Sequence, residues 1–143
     1  MTELERRIDR LESESAVARL VHAYAQAVRR EEVERIADMF IPAGIFEVRG
    51  GHPDRAEFTV RQRFETPAEL VAFLLEGKGK PHPVPLLHNM MIDVDGDSAT
   101  ANSMMAAPIY GTDHEVFGEY HDSFIRTEGR WLFSRRIYTI YGG

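Results

Sequence analysis

The sequence predicts a single α+β domain, a cone-shaped α+β barrel. N-terminal helices would pack over the concave face of a strongly curved, mostly antiparallel sheet. Three observations carry this expectation. Apolar residues recur at helical spacing through the N-terminal segment, whereas from Leu86 onward apolar and polar residues alternate as in half-buried strands. Asp95-Gly96 and Glu128-Gly129 stand as hairpin turns between long strand-like runs. Helices first and antiparallel strands afterwards is the order of an α+β fold, and a curved sheet under helices leaves room for a pocket.

Thr2 and Glu5 have capping-box spacing and start the first helix. Leu4, Ile8 and Leu11, then Val17, Leu20, Val21, Tyr24 and Val28, mark one face, with Ser13-Glu14-Ser15 as an interruption that either restarts the helix or lies on its wet side. A shorter helix begins near Glu31, carries Val33, Ile36, Ala37 and Phe40 on one stripe, and is stopped by Pro42. Strands are expected over 45–49 and 58–64, separated by the turn-rich Gly50-Gly51-His52-Pro53-Asp54. Thr66-Pro67-Ala68-Glu69 combines a cap, a proline at the first helical position and a glutamate at the third, and Gly77 ends that helix. Residues 77–85 form a proline- and glycine-rich loop that borders a site opening or merely connects. Strands over 86–94 and 98–110 form one hairpin, and strands over 114–127 and 130–141 a second. A two-residue loop at Glu128-Gly129 sets Asp122 opposite Arg135 and sends His121 and Arg136 to the other face.

Composition excludes several function classes. At 143 residues the chain is one domain, and its 43% hydrophobic and 28% charged content is ordinary for a globular protein. A net charge of -6 disfavours nucleic acid and anionic membranes, which want a basic face. Without cysteine there is no disulfide, thiol nucleophile or thiolate metal site. No apolar run is long enough to span a bilayer, and the charged N-terminus is no signal peptide, so a cytoplasmic protein is expected. The six histidines show neither helical ligand spacing nor an HExxH motif, and no phosphate loop or nucleophile elbow is present. No metal and no cofactor are expected.

The order of a helix with Tyr24, a helix ending in Phe40, a strand and a short helix, then Asp95-Gly96-Asp97-x-Ala99, Gly118-x-Tyr120-x-Asp122 and Gly129-x-Trp131-x-Phe133-x-x-Arg136, resembles the SnoaL-like group of the nuclear-transport-factor-2-like superfamily, which includes scytalone dehydratase. The resemblance covers nearly the whole chain. It implies a cone-shaped barrel with a ligand cavity, a homodimer, and a choice among dehydratases, isomerases, polyketide cyclases and epoxide hydrolases. Fold does not choose among these. The chain departs from the enzymatic pattern at three places: Arg29 stands where relatives carry an aspartate five residues after the helix tyrosine, Ala43 replaces a second aspartate, and Pro85 occupies the histidine position. Asn89 retains the asparagine, and His88 lies three residues from the expected histidine.

The candidate site follows. His88, between Leu87 and Met90, is either a proton shuttle with a near-neutral pKa or a hydrogen-bonded core histidine. Asp122 is either a general base or half of an ion pair with Arg135, and the pair is preferred on its cross-strand position. Tyr24 and Tyr120 would polarise a substrate oxygen from the cavity wall, or be core aromatics with wet hydroxyls. Asn89, Arg29, Phe46, Met90 and Met104 complete the expected substrate-binding set. Arg29 is read first as a solvated charge at the helix end and, where it enters the cavity instead, would favour an anionic group. The methionines fill an irregular core or suit an apolar ligand of variable shape. The resulting expectation is a cofactor-independent lyase, isomerase or cyclase. It would transfer protons on a small cyclic or aromatic apolar substrate, with His88, Asp122 and Tyr24 catalytic. The alternative is a non-catalytic ligand-binding or dimeric interaction domain whose site has degenerated.

Overall fold

In the computed structural model, which describes residues 1–142, the first helix (α1, Glu3–Arg29) runs unbroken. The Thr2 hydroxyl accepts the Glu5 N–H at 3.0 Å and donates to the Glu5 carboxylate at 3.1 Å. Ser13 does not interrupt the helix. It is buried and accepts from Arg126 Nη1 at 3.1 Å, beside a bidentate Arg126–Asp9 pair at 2.9 and 3.1 Å that ties α1 to the sheet. Core packing begins at Val17 and continues through Val21, Tyr24 and Ala27, whereas Leu4, Ile8 and Leu11 are exposed.

The expected second α-helix is a 3-10 helix, Val33–Met39, and Phe40 already opens the next strand (β1, Phe40–Gly51). Pro42 therefore stops no helix. It lies where the β1 ladder slips between Phe40 and Ile45, so its missing N–H breaks no sheet bond. Gly44 completes this bend: a Cβ there would stand 2.9 Å from the Ile41 carbonyl and the Phe40 ring. Next come β2 (Phe58–Phe64), α2 (Pro67–Glu76, capped by Thr66), β3 (Leu86–Asp95), β4 (Ser98–Pro108), β5 (Glu115–Thr127) and β6 (Arg130–Tyr141).

The six strands form one sheet in the order β2-β1-β6-β5-β4-β3, parallel between β1 and β6 and antiparallel elsewhere. The sheet is mixed and does not close, leaving β2 and β3 as edges. The first hairpin turn is Gly96-Asp97, one residue later than expected because Asp95 still pairs Ser98, and Gly96 takes φ +61°. In the second, Gly129 takes φ +76°, while Glu128 is a non-glycine residue held in the left-handed region at φ +51°. Of the sheet's four register shifts among the described residues, two fall next to expected site residues and change strand parity there, one in β3 between His88 and Met91 and one where Phe124 pairs Phe133 but Ser123 pairs Arg135. The core beneath α1 is aromatic. Tyr24 stacks on Phe46 at 6.1 Å and meets Phe40 and Phe133 edge-on, and Phe124 packs 5.0 Å from Phe133.

Candidate functional site

The β6 bulge builds the site. It takes up Ser134, so Phe133 and Arg136 both turn inward and Asp122 pairs Arg136, not the expected Arg135, which is exposed. Arg136 is fully buried and Asp122 nearly so, with Arg136 Nε 3.0 Å from Asp122 Oδ1. The distance is that of an ion pair, but the groups lack hydrogen-bond alignment. Among the described residues neither carboxylate oxygen and none of the three guanidinium nitrogens has a hydrogen-bond partner. Aromatic rings supply the rest of the surroundings: the guanidinium carbon stands 3.6 Å from the Tyr120 ring centre, 4.4 Å from Tyr24 and 4.8 Å from Phe133. Ser103, cross-strand from Tyr120, is also buried with an unpartnered hydroxyl, and the Tyr138 ring lies 4.8 Å from Tyr120.

Burial governs the electrostatics. It lifts the Asp122 carboxyl from 3.8 to about 6 against the lowering pull of Arg136. Burial, reinforced by Tyr120, pushes the Tyr24 hydroxyl far above its usual range, and burial also raises Tyr120. The tyrosines are therefore permanent hydrogen-bond donors at neutral pH and never bases. Asp122 alone in this cluster changes protonation near neutrality, beside a fixed cation that stabilises negative charge.

The other expected site residues divide between the two faces. Tyr24, Tyr120 and Phe46 are buried in this interior, and Met90 is half-buried against the core. His88 is not on a buried face. The β3 bulge falls after it rather than before, so His88 is exposed and pairs Met104 on the outer side, while Leu87 and Met105 turn inward. Met104 is thus replaced in the core by Met105. Asn89 is exposed within the bulge at φ +53°, a left-handed conformation that asparagine tolerates, so its identity has a backbone explanation. Arg29 is exposed; it meets His88 only outside, in a depression with His22, Gln26 and Pro85. The pockets around loop 77–88 include neither Asp122 nor Arg136 in their walls. Among the described residues no three His, Asp or Glu side chains converge as a metal would require, and no helix is long and apolar enough to cross a membrane.

Sequence reasoning missed Arg136, Ser103 and Tyr138. A signal for the first did exist: Trp131 and Phe133 keep one parity and Tyr138 and Ile140 the other, with Ser134-Arg135-Arg136 between, so the face must switch there.

The SnoaL-like domain family matches residues 9–137. No curated protein matches the chain. Among solved structures, the β subunit of a proposed aromatic-ring-hydroxylating dioxygenase from Novosphingobium aromaticivorans has a TM-score of 0.78 at 16% identity, covering 93% of this chain and 92% of that one. A proposed scytalone dehydratase from the same organism gives 0.70 at 20%, over 92% and 85%. A type 2 hexachlorocyclohexane dehydrochlorinase gives 0.71 at 13%, over 94% and 88%. Other neighbours are described as having NTF2-like and cystatin-like folds, consistent with the cone-shaped α+β architecture.

Proposed function

The chain belongs to the SnoaL-like domain family, and from that premise we propose a cofactor-independent lyase, isomerase or cyclase in which Asp122, rather than His88, carries the proton. One observation carries the reading: a buried guanidinium with no aligned acceptor stands beside a buried carboxyl poised at about 6. A buried donor without an acceptor forfeits about 1–3 kcal/mol, which a substrate oxygen would recover. A base with a pKa near the working pH is suited to taking and returning protons.

In the proposed reaction, a small cyclic or aromatic carbonyl compound lies against the rings of Tyr24, Phe46 and Phe133. The Asp122 carboxylate takes a proton from the carbon next to the carbonyl, and the C–H electron pair moves to the carbonyl oxygen. Arg136, Tyr24 and Tyr120 donate toward the developing enolate. Return of the proton to another atom gives isomerisation, and loss of a β leaving group gives elimination. The dehydratase and dehydrochlorinase descriptions of two structural neighbours support the elimination branch by analogy of fold. Substrate entry requires α1 or the neighbouring loop to part from the sheet.

A second reading is a non-catalytic domain in which the pair is structural. It is favoured by the closed interior, with Asp122 at 3% and Arg136 at 0% exposure. Exchange of α-protons into D2O, followed by NMR on cyclic ketones such as 2-tetralone, separates the two. The proposal expects wild-type exchange above background, a loss of about 100-fold or more in Asp122→Asn, and no change in His88→Ala. Background rates throughout, or equal rates in wild type and Asp122→Asn, support the structural reading.

A further inference from the structure

A second site lies outside the aromatic interior. A pocket of about 340 Å³ opens between the end of α1, the 3-10 helix, α2 and loop 77–83. Its walls are mainly apolar, formed by Val28, Val33, Phe73, Leu74, Pro81 and Pro83. The volume lies at the small end of the range for ligand sites.

A strained clip holds this pocket together. Glu31 occupies the left-handed region at φ +57°, which costs a non-glycine residue about 1–3 kcal/mol. Its carboxylate accepts the Gly79 N–H at 2.8 Å and stands 3.2 Å from His82 Nδ1. That Nδ1 also lies 2.9 Å from the Lys80 carbonyl. Both neighbours of Nδ1 are acceptors, so it carries the proton. Glu31 thereby fastens loop 77–83 to the C-terminus of α1.

The lining itself holds two lysines and two glutamates, and an excess of positive charge comes from Arg29 and Arg30 in the adjoining depression, on a chain whose net charge is -6. Lys78 and Lys80 line the pocket, and Arg29 and Arg30 line the depression that shares Glu31, Lys78 and His82 with it. Lys78 pairs Glu34 at 3.5 Å, whereas Lys80, Arg29 and Arg30 have no carboxylate within ion-pair distance among the described residues. Of the two rim carboxylates, Glu31 is engaged by the clip and Glu76 remains.

We infer that this pocket binds a small amphipathic anion. The ligand would be a carboxylate whose one- or two-ring apolar body lies against Phe73, Leu74 and the prolines, with its charge toward Lys80. This inference is independent of the proton-transfer reading.

The test is an amide NMR titration with 2-naphthoate, using 2-naphthalenemethanol as the uncharged counterpart. Saturable shifts are expected at Phe73, Gly79, Lys80 and His82, with the alcohol binding roughly threefold to fivefold more weakly. Lys80→Glu, an exposed change, should melt as wild type and bind naphthoate roughly tenfold more weakly. Glu31→Gly retains the left-handed backbone but removes the clip, and should also weaken binding. Asp122→Asn should bind as wild type, which separates this site from the interior. Absence of saturation, shifts confined to the Tyr120–Arg136 interior, equal affinity for the alcohol, or an unchanged Lys80→Glu would each overturn the inference.

Discussion

Asp122 and Glu47 are both buried carboxylates, yet their surroundings drive them in opposite directions. Burial raises Glu47 too, but hydrogen bonds from Arg49 and from Arg63, the latter at 2.9 Å, outweigh it and hold the carboxyl below its usual value. Asp122 has one unaligned arginine, so desolvation wins. Because its folded-state value lies above the unfolded one, the folded chain binds the extra proton between about pH 4 and 6. The stability contributed by Asp122 is therefore full below that window, falls as pH rises through it and stays low above. Asp122→Asn removes this dependence. Urea midpoints at pH 4.5 and 7 should show the wild type gaining on Asp122→Asn as the solution is acidified; parallel behaviour of the two proteins would contradict the raised carboxyl.

At the scale of elements, the bulges decide which residues reach the interior. A regular β5–β6 hairpin sets Asp122 opposite Arg135, and the extra residue at Ser134 substitutes Arg136. Arg135→Ala should change stability by no more than about 0.5 kcal/mol, as exposed substitutions do. Arg136→Ala should cost about 3–5 kcal/mol at pH 7, because it leaves a buried carboxylate unpaired. Denaturant unfolding of the two variants checks the register, and the reverse order would restore the unbulged pairing. The β3 bulge acts likewise on His88. Elements whose signals are local were legible in the sequence: the Thr2 and Thr66 caps, Pro67 at the start of α2, and the glycine turns at Gly96 and Gly129. Bulges are settled by packing across strands, so one unrecognised residue reversed every face beyond it.

For the molecule as a whole, the fold class, the strand content and the aromatic interior around Tyr24, Phe46 and Tyr120 were legible because many residues contribute to each. The candidate site was half legible. Asp122, Tyr24 and Tyr120 lie in one interior cluster, whereas His88, Arg29, Asn89 and Met104 lie outside it. The cone-shaped α+β fold is present with a sheet that does not close on itself, since β2 and β3 find no partner in each other. The consequence is a molecule with two separate candidate sites, a polar pair enclosed beneath α1 and an apolar pocket edged by Lys78 and Lys80 at its far end. Proton transfer in the interior requires Asp122 to be a buried, proton-exchanging group in the intact protein. Carboxyl carbon NMR of selectively labelled aspartate, assigned with Asp122→Asn and followed against pH, measures this directly. The account predicts a midpoint near 6 for Asp122; a midpoint at or below the ordinary aspartate value of 3.8 would contradict it.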